Sequence, residues 1–238
     1  MIEISGLTKS FGSRDVLRGL DLCVRPGRVT AVVGSNGAGK TTLIKCLLGL
    51  VRPDAGSIRI DGVRVGDDPA YRASIGYASQ MSRFPENLTA REVTNVLLGL
   101  RGASAVIDWE LFERLDLASH MDTRVRALSG GTRQKLSAAL AFLFAPSLYV
   151  LDEPSAGLDP VASAVLKDKI LGERGKGKTV LVTSHVMSEL DELADDIVLL
   201  AGGRVGFVGS AQKLRTFTGQ RHLERAVALM IAREAVCA

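Results

Sequence analysis

The chain has 238 residues, of which 46% are hydrophobic and 24% charged, and its formal net charge at neutral pH is +4. This length and apolar fraction can bury the core of one large globular unit or of two closely joined subdomains, which excludes a disordered or fibrous chain. The basic residues are mixed with 26 acidic ones along the chain, so nucleic acid is not an expected partner.

No segment of the sequence is predicted to cross a membrane or to direct secretion. The longest apolar stretch, residues 138–151, contains Pro146 and Ser147 and is shorter than the roughly 20 residues that a membrane-spanning helix requires. The N-terminal residues 1–4 include an acid where a secretory signal has basic residues. The three cysteines have no C-x-x-C spacing, which argues against a disulfide framework or a structural metal. The sequence therefore predicts a cytoplasmic protein.

The first part of the chain predicts an antiparallel β flap beside a larger sheet. β-prone runs at residues 2–7 and 16–24 flank a turn at Gly12-Ser13. Further along, short and continuously apolar runs predict strands that are buried on both faces, as in a parallel sheet covered by helices. These runs are residues 29–33, 148–151, 180–183 and 197–200. The predicted fold class is therefore α/β.

Strand signals are missing between residues 81 and 146, where helical patterns follow one another. The predicted helices span residues 90–100, 108–115 and 130–145. A helical insertion between two strands of the sheet is the natural interpretation.

Two more helices are predicted in the last third of the chain. Asp159-Pro160 places a capping carboxylate before a proline, which predicts a helix from there to Gly172. Apolar residues from Leu223 to Ile231 recur with helical spacing, which predicts a terminal helix on the core. We expect four regions: the flap and first part of the core (1–80), a helical subdomain (81–146), the second part of the core (147–210) and a helical tail (211–238).

The strongest chemical signal is a glycine-rich segment that fits G-x-x-x-x-G-K-S/T, between the predicted strand 29–33 and a helix predicted for residues 40–50. Its glycines allow the backbone to form a ring of N–H donors, and the following helix directs its positive end at the β- and γ-phosphates of a nucleotide. Lys40 adds a charge on the phosphates, and Thr41 offers its hydroxyl to Mg²⁺. The alternative, a glycine-rich turn with a solvated lysine, is disfavoured by the flanking strand and helix. The predicted phosphate-binding residues are Gly34, Ser35, Asn36, Gly37, Ala38, Gly39, Lys40, Thr41 and Thr42.

Two carboxylates, Asp152 and Glu153, end the apolar run at residues 148–151. Ligands bind α/β sheets at such strand ends. Asp152 is suited to hold Mg²⁺ through water and Glu153 to polarise the attacking water, because side chains alternate along a strand and cannot both face the metal. Asp-Glu after a strand is by itself more often an ordinary strand exit, but the nearby phosphate loop favours the catalytic interpretation.

With these segments in place, residues 2–210 resemble the nucleotide-binding domain of the ABC (ATP-binding cassette) family. The segment LSGGTRQK, residues 128–135, is similar to the family's LSGGQ signature, with Thr132 where glutamine is usual. The resemblance implies a P-loop NTPase with a RecA-like parallel core, an antiparallel β flap and an inserted helical subdomain, which binds ATP with Mg²⁺. It also implies a head-to-tail homodimer or heterodimer, in which Ser129, Gly130 and Gly131 face the partner's nucleotide. A simple helix N-cap is the alternative at Ser129.

The resemblance assigns four further positions. Gln80 resembles the glutamine that senses the γ-phosphate and magnesium, and His185 resembles the switch histidine that contacts the γ-phosphate. Asp159 resembles the dimer-seam aspartate, although it also caps a helix. Phe11 stands where the family places an aromatic ring against adenine, and stacking needs only the face of the ring. Without the resemblance, a surface glutamine and a structural histidine would be the ordinary interpretations.

The resemblance implies an ATP-hydrolysing subunit on the inner face of the cell membrane, which drives a separate permease through the helical insertion and the loop 80–88. The sequence looks most like cassettes that partner ABC-2-type permeases. The signature and residues 139–144 are similar to the ATPase of copper-processing systems that mature nitrous oxide reductase.

Three alternatives to that function stay open. They are a drug or ion efflux cassette, a non-transport ABC ATPase acting on DNA or ribosomes, and a nucleotide-gated module with little catalysis. The presence of Glu153 and His185 disfavours the last of these.

Overall fold

The computed structural model describes residues 1–66, 68–81, 83–102 and 106–237. The strands, in chain order, are β1 (Ile2–Phe11), β2 (Arg14–Val24), β3 (Val29–Val33), β4 (Ala55–Ile60), β5 (Val63–Arg64), β6 (Ile75–Ala78), β7 (Leu148–Asp152), β8 (Thr179–Thr183), β9 (Asp196–Ala201) and β10 (Arg204–Gly209). The helices are α1 (Lys40–Leu47), α2 (Ala90–Arg101), α3 (Glu110–Arg114), α4 (Gly130–Phe142), α5 (Pro160–Gly175), α6 (Met187–Leu193), α7 (Ala211–Thr218) and α8 (Leu223–Cys237).

The larger sheet has the strand order β10-β9-β3-β8-β7-β6 within the described residues. Its strands from β9 to β6 pair in parallel, and β10 pairs antiparallel with β9. Every residue of β3, β7, β8 and β9 is buried, because helices and the smaller sheet cover both faces. The parallel sheet predicted from the continuous apolar runs is confirmed.

The smaller sheet has the order β2-β1-β4-β5 and is antiparallel throughout. Helix α1 lies against it, since Leu43, Ile44 and Leu47 share one apolar cluster with Ile2 of β1 and Val150 of the larger sheet. The predicted flap is therefore confirmed. Its packing fixes the helix that follows the glycine-rich loop. Strands β4 and β5 were not predicted.

Helices α2, α3 and α4 lie between β6 and β7 and confirm the helical insertion, although several predicted helix ends are wrong. Helix α1 stops at Leu47 and not at residue 50, because Gly49 adopts φ +67°. Helix α4 ends at Phe142 and not at residue 145, and Ala145 has φ +42°. Local glycine and loop geometry, which periodicity does not report, ends these helices. Helix α3 is shorter than predicted, and α5 continues to Gly175.

The predicted terminal helix is present as α8, which packs against α6, α7 and β9. Its buried residues include Leu223, Ala226, Val227 and Met230. Among the helices of the described residues, none combines the length and the apolar character needed to span a membrane. The boundaries of the four regions stay predictions.

A buried ionic cluster fastens the helical insertion to α5. Lys169 is 2% exposed, and its Nζ lies 2.5 Å from Asp108 Oδ2 and 2.6 Å from Glu110 Oε2, both before or at the start of α3. Its third partner is the buried Glu173, at 3.1 Å from Nζ to Oε1. Burial acts to raise the pKa of Glu173, but hydrogen bonds from Lys176 and Lys169 hold it below its ordinary value.

We expect Lys169→Met to lower the free energy of unfolding by about 3–5 kcal/mol, because it leaves Glu173 and Asp108 without their shared cation. Urea unfolding at neutral pH measures the loss. The matched control is Lys167→Met, which removes a surface pair with Glu192 (2.6 Å) and should cost less than about 1 kcal/mol. Equal losses in the two variants would contradict a special role for the buried cluster.

Candidate functional site

The carboxyl ends of four parallel strands meet at one edge of the larger sheet. The glycine-rich loop follows β3, Gln80 follows β6, Asp152 ends β7 before Glu153, and His185 follows β8. Parallel strands end at a common edge, so these segments surround one cleft. The cleft is lined by Arg14, Val16, Asn36, Gly37, Gly39, Lys40, Thr41, Thr42, Gln80, Glu153 and His185. The structure thus brings the phosphate loop together with all three predicted catalytic residues.

The glycine-rich loop wraps around the side chain of Lys40, which is 8% exposed. Its Nζ donates to the carbonyl oxygens of Gly34 (2.8 Å) and Ser35 (3.1 Å). Helix α1 begins at Lys40 after Gly39, and no side chain caps it. Its first N–H groups are therefore available to an anion.

Two positions of the loop require glycine for different reasons. Gly39 has φ +106°, and a Cβ there would lie 2.8 Å from Leu17 of β2. At Gly34 a Cβ would lie 2.2 Å from the carbonyl oxygen of Leu200 in β9. A positive φ strains any other residue, and the second contact excludes a side chain sterically. The loop is therefore shaped by its packing on both sheets.

Lys40 is a buried cation whose hydrogen bonds go to neutral oxygens. Burial lowers the pKa of Lys40, and the carboxylates of Glu153 and Asp152 oppose that effect. A phosphate at the start of α1 would supply the counter-charge that the carbonyl groups lack.

Asp152 and Thr41 form an oxygen pair suited to magnesium. Asp152 is 3% exposed. Its Oδ1 accepts from Thr183 Oγ1 (2.6 Å), and its Oδ2 lies 3.5 Å from Thr41 Oγ1. Mg²⁺ prefers oxygen ligands and is usually held by one or two carboxylates together with phosphate oxygens and waters. The donor set therefore fits the predicted ion, with Asp152 held in place by Thr183.

Glu153 is the centre of a hydrogen-bonded trio. Its Oε2 accepts from Gln80 Nε2 (2.8 Å), and its Oε1 lies 2.7 Å from His185 Nε2. The backbone N–H of Glu153 donates to Thr183 Oγ1 (3.0 Å). Three residues from the ends of three different strands therefore touch, although 73 positions separate Gln80 from Glu153.

The side chains of Asp152 and Glu153 have different partners, but the alternation of side chains along a strand, which we expected to be the cause, is not the reason. Strand β7 ends at Asp152, and Glu153 adopts φ +49°, so side-chain alternation along a strand does not apply to it. A left-handed conformation at a non-glycine residue is strained and persists where the surroundings enforce it. Two hydrogen bonds from the Glu153 N–H to Thr183 and the trio itself do so here.

The predicted signature lies at the start of α4, and none of its residues is among the described residues that line the phosphate cleft. Ser129 is the N-cap: its Oγ accepts from the N–H of Thr132 (3.1 Å) and lies 2.8 Å from Thr132 Oγ1. Thr132 thus bonds to Ser129 where glutamine is usual. Ser129 and Gly130 are exposed. Gly130 lines a second cleft with Gln80 and Gly157.

The other two predicted positions behave differently. Asp159 caps α5, accepting from the Ala162 N–H at 2.8 Å, and its Oδ2 lies 2.8 Å from Lys135 Nζ of α4. Phe11 is 51% exposed and has Lys9 Nζ 5.4 Å from its ring centroid. Phe11 is not among the described residues that line the phosphate cleft.

Sequence reasoning missed Arg14 and Val16, which line the cleft from the start of β2. A Cβ on Gly37 would lie 2.9 Å from Arg14 Nη2, so the guanidinium group lies directly over the loop. No motif marks these residues, because their position depends on how the flap packs against the larger sheet.

Comparisons with known proteins match this geometry. The family model described as ABC transporter matches residues 17–156, more than half of the chain. The chain is 41% identical to the daunorubicin resistance ATP-binding protein DrrA3 of Streptomyces coeruleorubidus over 224 residues, which cover 92% of this chain and 71% of that protein. It is 37% identical to the Nod factor export ATP-binding protein I of Rhizobium sp. (strain N33) over 219 residues, covering 90% and 72%.

Solved structures agree on the fold. An ATP binding subunit of an ABC transporter superposes with a TM-score of 0.89 at 30% identity, covering 97% of this chain and 99% of that one. The bacterial ABC transporter cassette MJ0796, solved as a dimer, superposes with a TM-score of 0.78 at 24% identity, covering 88% and 98%. The matched family region includes both the loop around Lys40 and the carboxylates that face it. The chain therefore belongs to the ABC transporter family, as a cassette that binds and hydrolyses ATP.

Proposed function

We propose that this ATPase is the motor of an exporter, which energises a separate membrane permease and moves a small amphipathic molecule out of the cell. The main support for this proposal is the 41% identity, over 92% of the chain, to a protein named for daunorubicin resistance. The relative named for Nod factor export gives independent support for export. The working position is the inner face of the cell membrane.

These relatives support the efflux alternative better than copper-enzyme maturation. Both are named for resistance to, or export of, an organic compound. The resemblance to copper-processing systems relies on short stretches of the sequence, whereas the identity to the drug-resistance protein extends over 224 residues.

Nucleotide binding is assigned to the loop around Lys40. Its ammonium group and the N–H groups at the start of α1 bind the phosphates. Thr41 and Asp152 would hold Mg²⁺, Asp152 through water, with Gln80 as a further oxygen ligand, and the ion would supply positive charge at the phosphates. Thr183 keeps Asp152 oriented through its 2.6 Å hydrogen bond.

Hydrolysis is assigned to the trio around Glu153. As general base, its carboxylate takes a proton from the attacking water. Gln80 and His185, which hold the two carboxylate oxygens at 2.8 and 2.7 Å, are placed to turn toward a γ-phosphate when one enters the cleft. Nucleotide binding would thus release the Glu153 carboxylate from its hydrogen bonds to Gln80 and His185, so that it can act as the base.

A second copy, or a related cassette, completes the site. Ser129, Gly130 and Gly131 open α4 with a positive helix end, and they are not among the described residues that line the phosphate cleft of their own chain. A head-to-tail dimer places this end on the partner's nucleotide. Asp159 lies at that seam, and the exposed ring of Phe11 is available to adenine.

The permease is assigned to the helical insertion and the loop 80–88, of which residue 82 lies outside the described residues. Large apolar side chains are exposed there: Met81 (67%), Val96 (55%) and Leu100 (78%). Exposed apolar surface of this kind supports docking of another protein.

Lys40→Ala should weaken ATP binding by roughly 10- to 100-fold, since it removes charge-assisted contacts to the phosphates. Titration with a fluorescent ATP analogue measures the change. Lys45→Ala is the matched control, because Lys45 lies on the exposed side of the same helix and its loss should leave binding unchanged. Unchanged binding in Lys40→Ala would refute the assignment of the loop.

Glu153→Gln should preserve ATP binding and lower phosphate release by about 10²- to 10⁴-fold, because the general base is lost. The variant should accumulate as a dimer in MgATP, detectable by size-exclusion chromatography. Glu113→Gln, an exposed glutamate of α3, is the control and should turn over normally. Near-normal release from Glu153→Gln would refute Glu153 as the base.

Export is tested by expressing the chain with the membrane protein encoded beside it in a drug-sensitive host. Tolerance to daunorubicin or a similar amphipathic drug should rise with the wild-type chain and not with Glu153→Gln at equal protein levels. A host that instead requires the chain for copper loading of nitrous oxide reductase, with no change in drug tolerance, would favour the copper hypothesis.

A further inference from the structure

We propose that Glu189 is a positioning residue for hydrolysis, which holds the loop carrying Glu153 and the loop carrying His185 at a fixed spacing. The inference depends on the catalytic roles assigned to those two residues under the proposed function. Glu189 lies on α6, directly after the His185 loop.

Three serine hydroxyl groups from separate segments converge on this one carboxylate. Glu189 Oε2 accepts from Ser155 Oγ (2.7 Å) and, more weakly, from Ser184 Oγ (3.5 Å). Glu189 Oε1 accepts from Ser163 Oγ of α5 (3.1 Å). Hydrogen bonds to an ionised group are stronger than those between neutral groups, so the carboxylate ties the three segments together.

The contact to Ser184 acts on the turn that presents His185. Ser184 is 5% exposed, and its Oγ accepts from the N–H of Val186 (3.0 Å). The hydroxyl group therefore bridges the histidine, accepting from the residue after it while donating its hydrogen to Glu189. Removing the carboxylate frees the hydroxyl to rotate and loosens that turn.

The contact to Ser155 acts on the turn that follows Glu153. The N–H of Ala156 donates to the carbonyl oxygen of Glu153 (3.1 Å), so Ser155 lies inside a turn that begins at the catalytic glutamate. The two loops are therefore joined twice: directly by Glu153 and His185 at 2.7 Å, and behind that pair by Glu189. Small misplacements of reacting groups cause large losses of rate.

The same linkage continues toward the proposed dimer seam. The segment 155–159 ends at Asp159, which pairs with Lys135 of the signature helix at 2.8 Å. A displacement of this segment by a second copy would reach the Glu153 and His185 pair through Ser155 and Glu189. Glu189 thus gives the seam a physical route to the catalytic residues.

The test uses the full chain. We expect Glu189→Ala to lower kcat for ATP hydrolysis by roughly 10- to 100-fold, and the Kd for ATP to change less than about 2-fold, because the carboxylate of Glu189 bonds to Ser155, Ser163 and Ser184. Glu189→Gln should recover most of the rate, since its amide oxygen still accepts a hydrogen bond. Glu192→Ala is the matched control: it removes a glutamate of the same helix that pairs with Lys167 on the surface, and kcat should not change.

Further variants separate positioning from a loss of folding. Ser155→Ala and Ser184→Ala should each lower kcat in the same direction without lowering the thermal midpoint by more than a few degrees. In a His185→Ala background, Glu189→Ala should cost less than it does in the wild-type chain, because the route through Ser184 is then lost and only the route through Ser155 to Glu153 remains. A full additional loss there, or a fall in ATP affinity equal to the fall in kcat, would overturn the inference.

Different results would refute the catalytic assignment of Glu153 and His185 and the positioning role of Glu189. If Glu153→Gln and His185→Ala both turn over normally, the catalytic assignment fails and this inference fails with it. If they are inactive and Glu189→Ala is fully active, only the positioning role is refuted.

Discussion

The whole site depends on one constraint, the common edge at which neighbouring parallel strands end. Asp152 of β7 is paired in register with Thr183 of β8, and Val32 of β3 is paired with that same threonine. The glycine-rich loop and Glu153 therefore follow strands that lie on opposite sides of Thr183. That threonine holds both the Asp152 carboxylate and the Glu153 backbone, so the sheet hydrogen bonds set the spacing between the carboxylate proposed to hold magnesium and the one proposed to activate water.

The two buried lysines, Lys169 and Lys40, have different kinds of partner for their positive charge. Lys169 has three carboxylates around it, and the cluster is complete without any ligand, which suits a permanent fastening between the helical insertion and α5. Within the part of the chain that the structure describes, the hydrogen bonds of Lys40 go to carbonyl oxygens alone, so a bound phosphate would supply the counter-charge. The ionic cluster around Lys169 fastens the fold, and the positive charge of Lys40 would attract the phosphates of a nucleotide.

The segments that could be predicted are those whose function depends on local sequence. The loop at residues 34–42 is marked by its glycines and lysine, and the buried strands are marked by unbroken apolar runs. The ends of α1 and α4 were missed because a positive φ shortly after each helix, at Gly49 and at Ala145, overrides an apolar periodicity. Arg14 and Glu189 carried no signal, since an arginine in a β-hairpin and a glutamate on a short helix are ordinary surface residues until the tertiary packing places them.

The sequence by itself determined the phosphate loop, the carboxylate pair, the α/β class and the resemblance to ABC cassettes, because each is encoded in a short run of adjacent residues. Only the tertiary structure decided that Gln80 and His185 grip the same carboxylate, that Glu189 ties their loops from behind and that Phe11 lies outside the phosphate cleft. These outcomes depend on distances between residues far apart in the chain. Strand order, register and flap packing fix such distances, and no local pattern encodes them.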